Sequence, residues 1–166
     1  IIMLLSAHFV GLLTPEVLYK SVISAHHKQI LAMTAGGILG TICWVGMTML
    51  VLRRLFNPRV RANSRPSDIM ILLVLYLQLM LGLSTIHVSA KHLDGVDMEA
   101  LANWVQHIVT FRTDAYLYLQ NINIIFKIHL FVGMTLFVLF PFTRLVHIVS
   151  VPLQYLIRTG YQIVRK

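Results

Sequence analysis

The composition of this 166-residue chain is typical of an integral membrane protein, because 57% of its residues are hydrophobic and only 12% are charged. A soluble globular domain is therefore excluded. The net charge of +8 reflects 14 lysines and arginines against 6 acidic residues, and the single cysteine, Cys43, is too few for a thiolate-based zinc or iron–sulfur site.

Four apolar segments predict an all-α, integral membrane helix bundle. Residues 1–15 are too few to cross a bilayer and begin without an initiator Met, so we expect an N-terminal portion to be missing. Residues 30–52 and 69–90 are uncharged, and each run exceeds the about 20 residues that a transmembrane helix needs. The last span is expected from about residue 116 to residue 149.

Two ionisable side chains mark the first two segments. His8 lies inside the first segment, where an ionisable ring is costly enough to be a functional-site candidate. A histidine that hydrogen-bonds to a neighbouring helix is an equal alternative for His8 on its own. Lys28 opens the second segment, and from the residues alone a lysine at this boundary is more often a snorkelling anchor than a ligand contact.

Charged stretches predict how the helices are oriented. Residues 53–66 contain five arginines and no acidic residue, so the positive-inside rule places this loop in the cytoplasm. The basic C-terminal tail, with Arg158, Arg165 and Lys166, is placed on the same side. Residues 14–28 and 91–115 are then external, and within the second stretch residues 97–111 predict an amphipathic helix in the membrane interface.

The last span carries two histidines, His129 and His147. They are separated by about five turns at about 3.6 residues per turn, so an unbroken helix would present both on one face. At about 1.5 Å per residue they would lie roughly 27 Å apart, near opposite edges of a hydrocarbon core about 30 Å thick. Pro141 lies between them and is expected to bend the helix.

This arrangement suggests two metal centres at different depths. His8 and His129 lie on different helices at a similar outer depth, which suits a haem with two axial imidazoles. Such a haem has no open coordination position and passes electrons rather than binding oxygen. His147 would hold a second haem near the cytoplasm, and its partner ligand is expected upstream of Ile1.

Four motifs extend this interpretation: AHFVGLLTPE (7–16), RRLFNPRVRA (53–62), KHLDG (91–95) and IHLFVGMTLFVLFPFTRLVHIVSVP (128–152). In these motifs the chain resembles the gamma subunit of respiratory nitrate reductase, a di-haem membrane cytochrome b. The family has five membrane helices. The resemblance therefore implies one cytochrome b domain over residues 1–166 that lacks the first helix and part of the second.

The resemblance also implies roles for individual residues. His8 and His129 would ligate the distal haem b on the periplasmic side, and His147 would be one ligand of the proximal haem b. The second proximal ligand would lie outside this chain. Lys28 matches a lysine implicated in quinol binding, which reverses the interpretation as a snorkelling anchor.

The implied function is that of an electron-transfer subunit in a bacterial inner membrane, with a cytoplasmic C-terminus. Quinol would be oxidised at the outer face, and electrons would pass through both haems to an iron–sulfur beta subunit and then to a molybdenum alpha subunit that reduces nitrate. No nitrate chemistry is expected in this chain, and no nucleic-acid partner. Two alternatives stay open: a cytochrome b of another quinol-linked reductase, heterodisulfide or sulfite-linked, and a haem-free membrane anchor or transporter bundle.

Overall fold

The computed structural model describes residues 1–19 and 21–149, without the side chains of Glu16, Ile148 and Val149. The predicted basic tail lies outside these residues. Every regular element in the described part is a helix, as predicted. The α-helices are α1 (Ile2–Leu13), α2 (Glu16–Tyr19), α3 (Ala25–Phe56), α4 (Pro58–Ala62), α5 (Pro66–Ser89), α6 (Val96–Val109), α7 (Ile124–Leu139) and α8 (Val146–Val149), with 3-10 helices at Ala115–Leu119 and Phe140–Phe142.

Three helices of the described chain are long and apolar enough to cross a membrane: α3, α5, and α7 extended by its 3-10 continuation to Phe142. The spans predicted at 30–52 and 69–90 are confirmed. The prediction that the last span begins near residue 116 was wrong, because Tyr116 lies in the separate 3-10 helix. The side chain of Asn123 accepts a hydrogen bond from the backbone N–H of Ile125 and caps α7, so the span begins at Ile124.

The described helices pack without a large apolar core. Helix α5 packs against both α3 and α7, whereas α1 packs mainly on α6 and α3. Only 6–11% of the residues in the three spanning windows are buried, so most apolar side chains face outward, as expected where lipid is the solvent. Helix association then depends on small residues and interhelical hydrogen bonds, such as the one that Trp44 donates to the Tyr76 hydroxyl.

Two buried contacts define the ends of the bundle. Gln29 is 2% exposed; its amide nitrogen donates to the carbonyl of His92 at 2.8 Å, and its oxygen accepts from the N–H of Gly95 at 2.9 Å. These bonds join the start of α3 to residues 92–95, and we call this end of the bundle, which carries residues 14–28 and 91–115, the turn end. At the other end, Arg144 pairs with the buried carboxylate of Asp68 at 3.3 Å. We call this end, which carries residues 53–66 and α8, the arginine end.

The helix that carries His129 does not continue to His147. Helix α7 ends at Leu139, the Phe140–Phe142 segment is a 3-10 helix with Pro141 in it, and Thr143 is extended at φ −118° and ψ 169°. A proline inside a helix removes a hydrogen-bond donor and clashes with the preceding turn, which accounts for the break. The bend expected at Pro141 is therefore an interruption of the helix, and the two histidines do not share one face of a continuous helix.

Candidate metal centre

The structure brings His8 of α1 and His129 of α7 together near the turn end. Their ring centroids are 6.3 Å apart and their planes are inclined by 38°. A metal–imidazole bond is about 2 Å and the ring centre lies about 1 Å behind the nitrogen, so two imidazoles on one metal have centroids about 6 Å apart. The observed separation therefore fits a single metal shared by the two rings.

His8 is held in a form that can bind a metal. Its Nδ1 lies 2.7 Å from the carbonyl oxygen of Leu4, one turn earlier in α1. Because a carbonyl only accepts, Nδ1 must carry the hydrogen, which leaves the lone pair of Nε2 for a metal. A backbone carbonyl that accepts from the non-coordinating nitrogen is a common support for a metal-ligating histidine.

Helix α1 is itself held in place by α6. The amide nitrogen of Gln106 donates to the carbonyls of Leu12 at 3.0 Å and Thr14 at 3.3 Å, which are among the carbonyls that a helix end leaves without partners. Gly11 also faces α6, where an added Cβ would lie 3.8 Å from the Met98 side chain. The helix predicted from residues 97–111 is thus present as α6, Val96–Val109, and it positions the helix that carries His8.

His129 is packed against α5. A Cβ added at Gly82 would lie 3.1 Å from the ring carbon Cε1, and the Gln78 amide nitrogen donates to the His129 backbone carbonyl at 3.1 Å. In the described chain, the His129 Nδ1 and the Gln78 Oε1 are buried without a hydrogen-bond partner. Leaving a buried polar atom without a hydrogen bond costs roughly 1–3 kcal/mol. Such atoms are typical of a site that binds a further group.

The ligand set limits which metal this pair suits. No group of three or more His, Cys, Asp or Glu side chains in the described residues could hold a metal ion. Two imidazoles alone suit a metal that brings its own equatorial ligands, as the iron of a porphyrin does. The residues present therefore fit a bis-histidine haem.

The third predicted ligand, His147, lies apart from this pair. It is exposed on α8 at the arginine end, three residues after the Arg144 that pairs with Asp68. The structure therefore does not bring His147 together with His8 and His129. Its role as a ligand of a second haem stays a prediction.

Lys28 lies in the first turn of α3 at the turn end. Its ammonium nitrogen is 3.7 Å from the centroid of the Tyr19 ring, within cation–π range, and this nitrogen is buried without a hydrogen-bond partner among the described residues. The ammonium group therefore lies against the Tyr19 ring and does not extend to solvent. Burial, and then the negative charge of Glu99, raise the pKa of Tyr19, so its phenol stays neutral beside the lysine.

Residue patterns alone missed Gln78, Gly82 and Tyr19. One signal was available: Gln78 is the only side-chain amide in the apolar run 69–90, and polar side chains inside a span usually face protein rather than lipid. Gly82 lies four residues later, on the same helix face as Gln78. Tyr19 carried no comparable signal, because a tyrosine near a membrane boundary is ordinary.

Fold and site together define the class: an all-α integral membrane protein in which two helices contribute a pair of imidazoles. The chain belongs to the nitrate reductase gamma subunit family, whose profile matches residues 1–166. It is 50% identical over 158 residues to the respiratory nitrate reductase 1 gamma chain of Escherichia coli (strain K12), covering 95% of this chain and 70% of that protein.

Two further relatives support the same assignment. The respiratory nitrate reductase 2 gamma chain of Escherichia coli (strain K12) is 48% identical over 158 residues, with 95% of this chain and 70% of the relative covered. The nitrate reductase gamma chain of Bacillus subtilis (strain 168) is 39% identical over 162 residues, with 96% and 71% covered. The resemblance stated from the motifs is confirmed, and the chain is a subunit of an oxidoreductase complex.

Proposed function

We propose that this chain is the membrane cytochrome b subunit that carries electrons from quinol to the catalytic subunits of a nitrate reductase. The observation that supports this most directly is the approach of His8 and His129 to 6.3 Å from two different helices. Each ring would supply one nitrogen to the iron of a haem b. His8 and His129 would together leave the iron of such a haem no open coordination position, so the group that they hold would supply one-electron transfer.

A second haem b would be held at the arginine end by His147 together with a ligand outside residues 1–166. His147 lies at the opposite end of the bundle from the first pair, so the two haems would form a path across the membrane. The turn end would face the periplasm and the arginine end the cytoplasm, because five arginines lie in residues 53–66. An iron–sulfur beta subunit would dock at that cytoplasmic end and pass electrons to a molybdenum alpha subunit.

Quinol would bind at the turn end beside Lys28. The buried ammonium group has N–H donors without partners in the described chain, and a quinol oxygen would accept a hydrogen bond from one of them. An ammonium at this position also stabilises negative charge that develops on the oxygen as the quinol loses a proton. Protons would leave on the same side, since the turn end carries the exposed loops.

The test is a reduced-minus-oxidised visible spectrum of membranes that carry the whole complex. We call the haem of His8 and His129 the outer haem and that of His147 the inner haem. We expect a b-type haem band in the wild type. His8→Ala and His129→Ala should each remove the outer haem while the protein still accumulates. His92→Ala is the matched control, since His92 lies in an exposed turn at the same end. A complex without a b-type band, or one whose spectrum survives both ligand substitutions, would contradict the proposal and favour a haem-free anchor.

A further inference from the structure

Gln78 and Gly82 of α5 and Gly133 of α7 form a close-fitting socket around His129, which we call the His129 socket. We infer that Gln78 is a positioning residue that holds His129 in its ligating orientation and thereby sets the reduction potential of the outer haem. This inference rests on the proposed ligation of haem by His129 and adds a residue that the ligand pair alone does not identify.

The first part of the socket is the space that Gly82 leaves for the imidazole. A Cβ at this position would lie 3.1 Å from Cε1 of His129 and 3.8 Å from each ring nitrogen. A contact of 3.1 Å is shorter than a normal carbon–carbon contact of about 3.5–4.0 Å, so any side chain here would displace the ring. Gly82 therefore determines how close the ring can lie to the α5 backbone.

The second part is the amide of Gln78, one turn before Gly82. Its nitrogen donates to the backbone carbonyl of His129 at 3.1 Å and lies 3.5 Å from the ring Nε2. The amide is confined from the other side by Gly133, one turn after His129, where an added Cβ would lie 2.9 Å from the same nitrogen. Only a glycine at position 133 leaves the Gln78 amide in this place.

The third observation concerns polar atoms that have no partner. The Oε1 of Gln78 and the Nδ1 of His129 are both buried without a hydrogen bond among the described residues, and they belong to two side chains that touch. The Gln78 amide nitrogen thus lies beside the ring, 3.5 Å from its Nε2. Polar groups next to a ligating histidine orient its ring and change its basicity, and both effects alter the properties of the metal.

The experiment is a redox titration of the haems in membranes that carry the complete complex, combined with haem quantification. Gln78→Met keeps the length of the side chain and removes the amide. Gly133→Ala displaces the amide from the opposite helix without altering Gln78. Gly46→Ala is the matched control, because a Cβ at Gly46 has no atom within 4 Å among the described residues.

We expect Gln78→Met and Gly133→Ala to shift the reduction potential of the outer haem. At a given applied potential, its oxidised-to-reduced ratio should change at least tenfold, which corresponds to about 59 mV for a one-electron couple. The inner haem and the Gly46→Ala variant should titrate as the wild type does. Gly82→Ala should broaden or abolish the outer haem signal, because the ring itself is displaced.

The inference is overturned if the oxidised-to-reduced ratio of the outer haem stays within twofold of the wild-type value in both Gln78→Met and Gly133→Ala. If one variant fails to accumulate, the other decides, since they act from different helices. A wild-type complex without a b-type band would instead overturn the proposed function. The two failures are therefore distinguishable in a single set of membranes.

Discussion

At the scale of single residues, the contact between Lys28 and Tyr19 differs from an ordinary membrane anchor. The ammonium group lies 3.7 Å from the ring centroid, and its nitrogen is buried without a hydrogen-bond partner in the described chain. A cation–π contact offsets part of the cost of removing a charge from water, but it leaves the N–H donors unused. A polar ligand that accepts a hydrogen bond would therefore be favoured at this position.

We expect Lys28→Ala to slow the reduction of the haems by quinol about tenfold or more while haem content stays unchanged. A hydrogen bond to a charged group contributes roughly 1.5–3 kcal/mol, which is the source of this magnitude. The measurement is the rate of haem reduction after quinol is added to membranes. Lys91→Ala is the control, since Lys91 is exposed at the same end. Loss of haem in Lys28→Ala would mean that this lysine supports the haem site instead.

At the scale of elements, α6 is joined to the 3-10 helix Ala115–Leu119 by a polar cluster outside the spans. The Nδ1 of His107 lies 3.0 Å from the Asp114 carboxylate, and the Tyr118 hydroxyl lies 3.4 Å from the other ring nitrogen. The hydrogen bond from His107 lowers the pKa of Asp114, with smaller contributions from the positive charges of His107 and Arg112. This contact fixes the return of the chain from α6 toward α7.

The lowered pKa of Asp114 predicts a pH dependence at this junction. A carboxyl group whose folded-state pKa is lowered stabilises the fold above its unfolded pKa, about 3.9, and this stabilisation is lost as the pH falls through the folded pKa. We therefore expect amide hydrogen exchange in residues 96–119 to accelerate below about pH 4, after correction for intrinsic exchange rates. In Asp114→Asn this acid-dependent step should be absent. A step of equal size in both proteins would contradict the assignment.

At the scale of the whole molecule, buried polar side chains at both ends hold together the described helices, which share little apolar core. The Gln29 amide joins α3 to the turn that follows α5 at the turn end. The Asp68 carboxylate joins α5 to the segment after α7 at the arginine end, through Arg144. Because a spanning helix gains little by burying apolar surface from lipid, such contacts set how the helices align.

We expect Asp68→Asn to weaken the arginine end selectively. Asp68 is buried, although Arg144 is exposed, so loss of the charge-assisted hydrogen bond should cost roughly 1–3 kcal/mol. The inner haem should then be lost at lower temperature than in the wild type, while the outer haem is retained. Arg61→Gln on exposed α4 is the control at the same end. Equal loss of both haems would mean that Asp68 stabilises the whole bundle and not only the site of His147.

Much of the fold was predictable because its determinants are local. A bilayer requires about 20 consecutive apolar residues for each span, so 30–52 and 69–90 were recognisable from the residues alone. The start of the last span was not, since the Asn123 cap and the separate 3-10 helix are set by short-range hydrogen bonds that an apolar run conceals. The break around Pro141 was expected as a bend, and the structure makes it an interruption.

The amino-acid sequence by itself determined the class of protein, its helices and the imidazoles available as ligands, because hydrophobic run length and residue type are properties of the chain alone. Only the tertiary structure decided that His8 and His129 come within 6.3 Å, and that Gln78 and Gly82 surround one of the rings. Those contacts join helices far apart in the chain. They depend on crossing geometry and the rotation of each helix, which the bilayer leaves free and which interhelical packing sets.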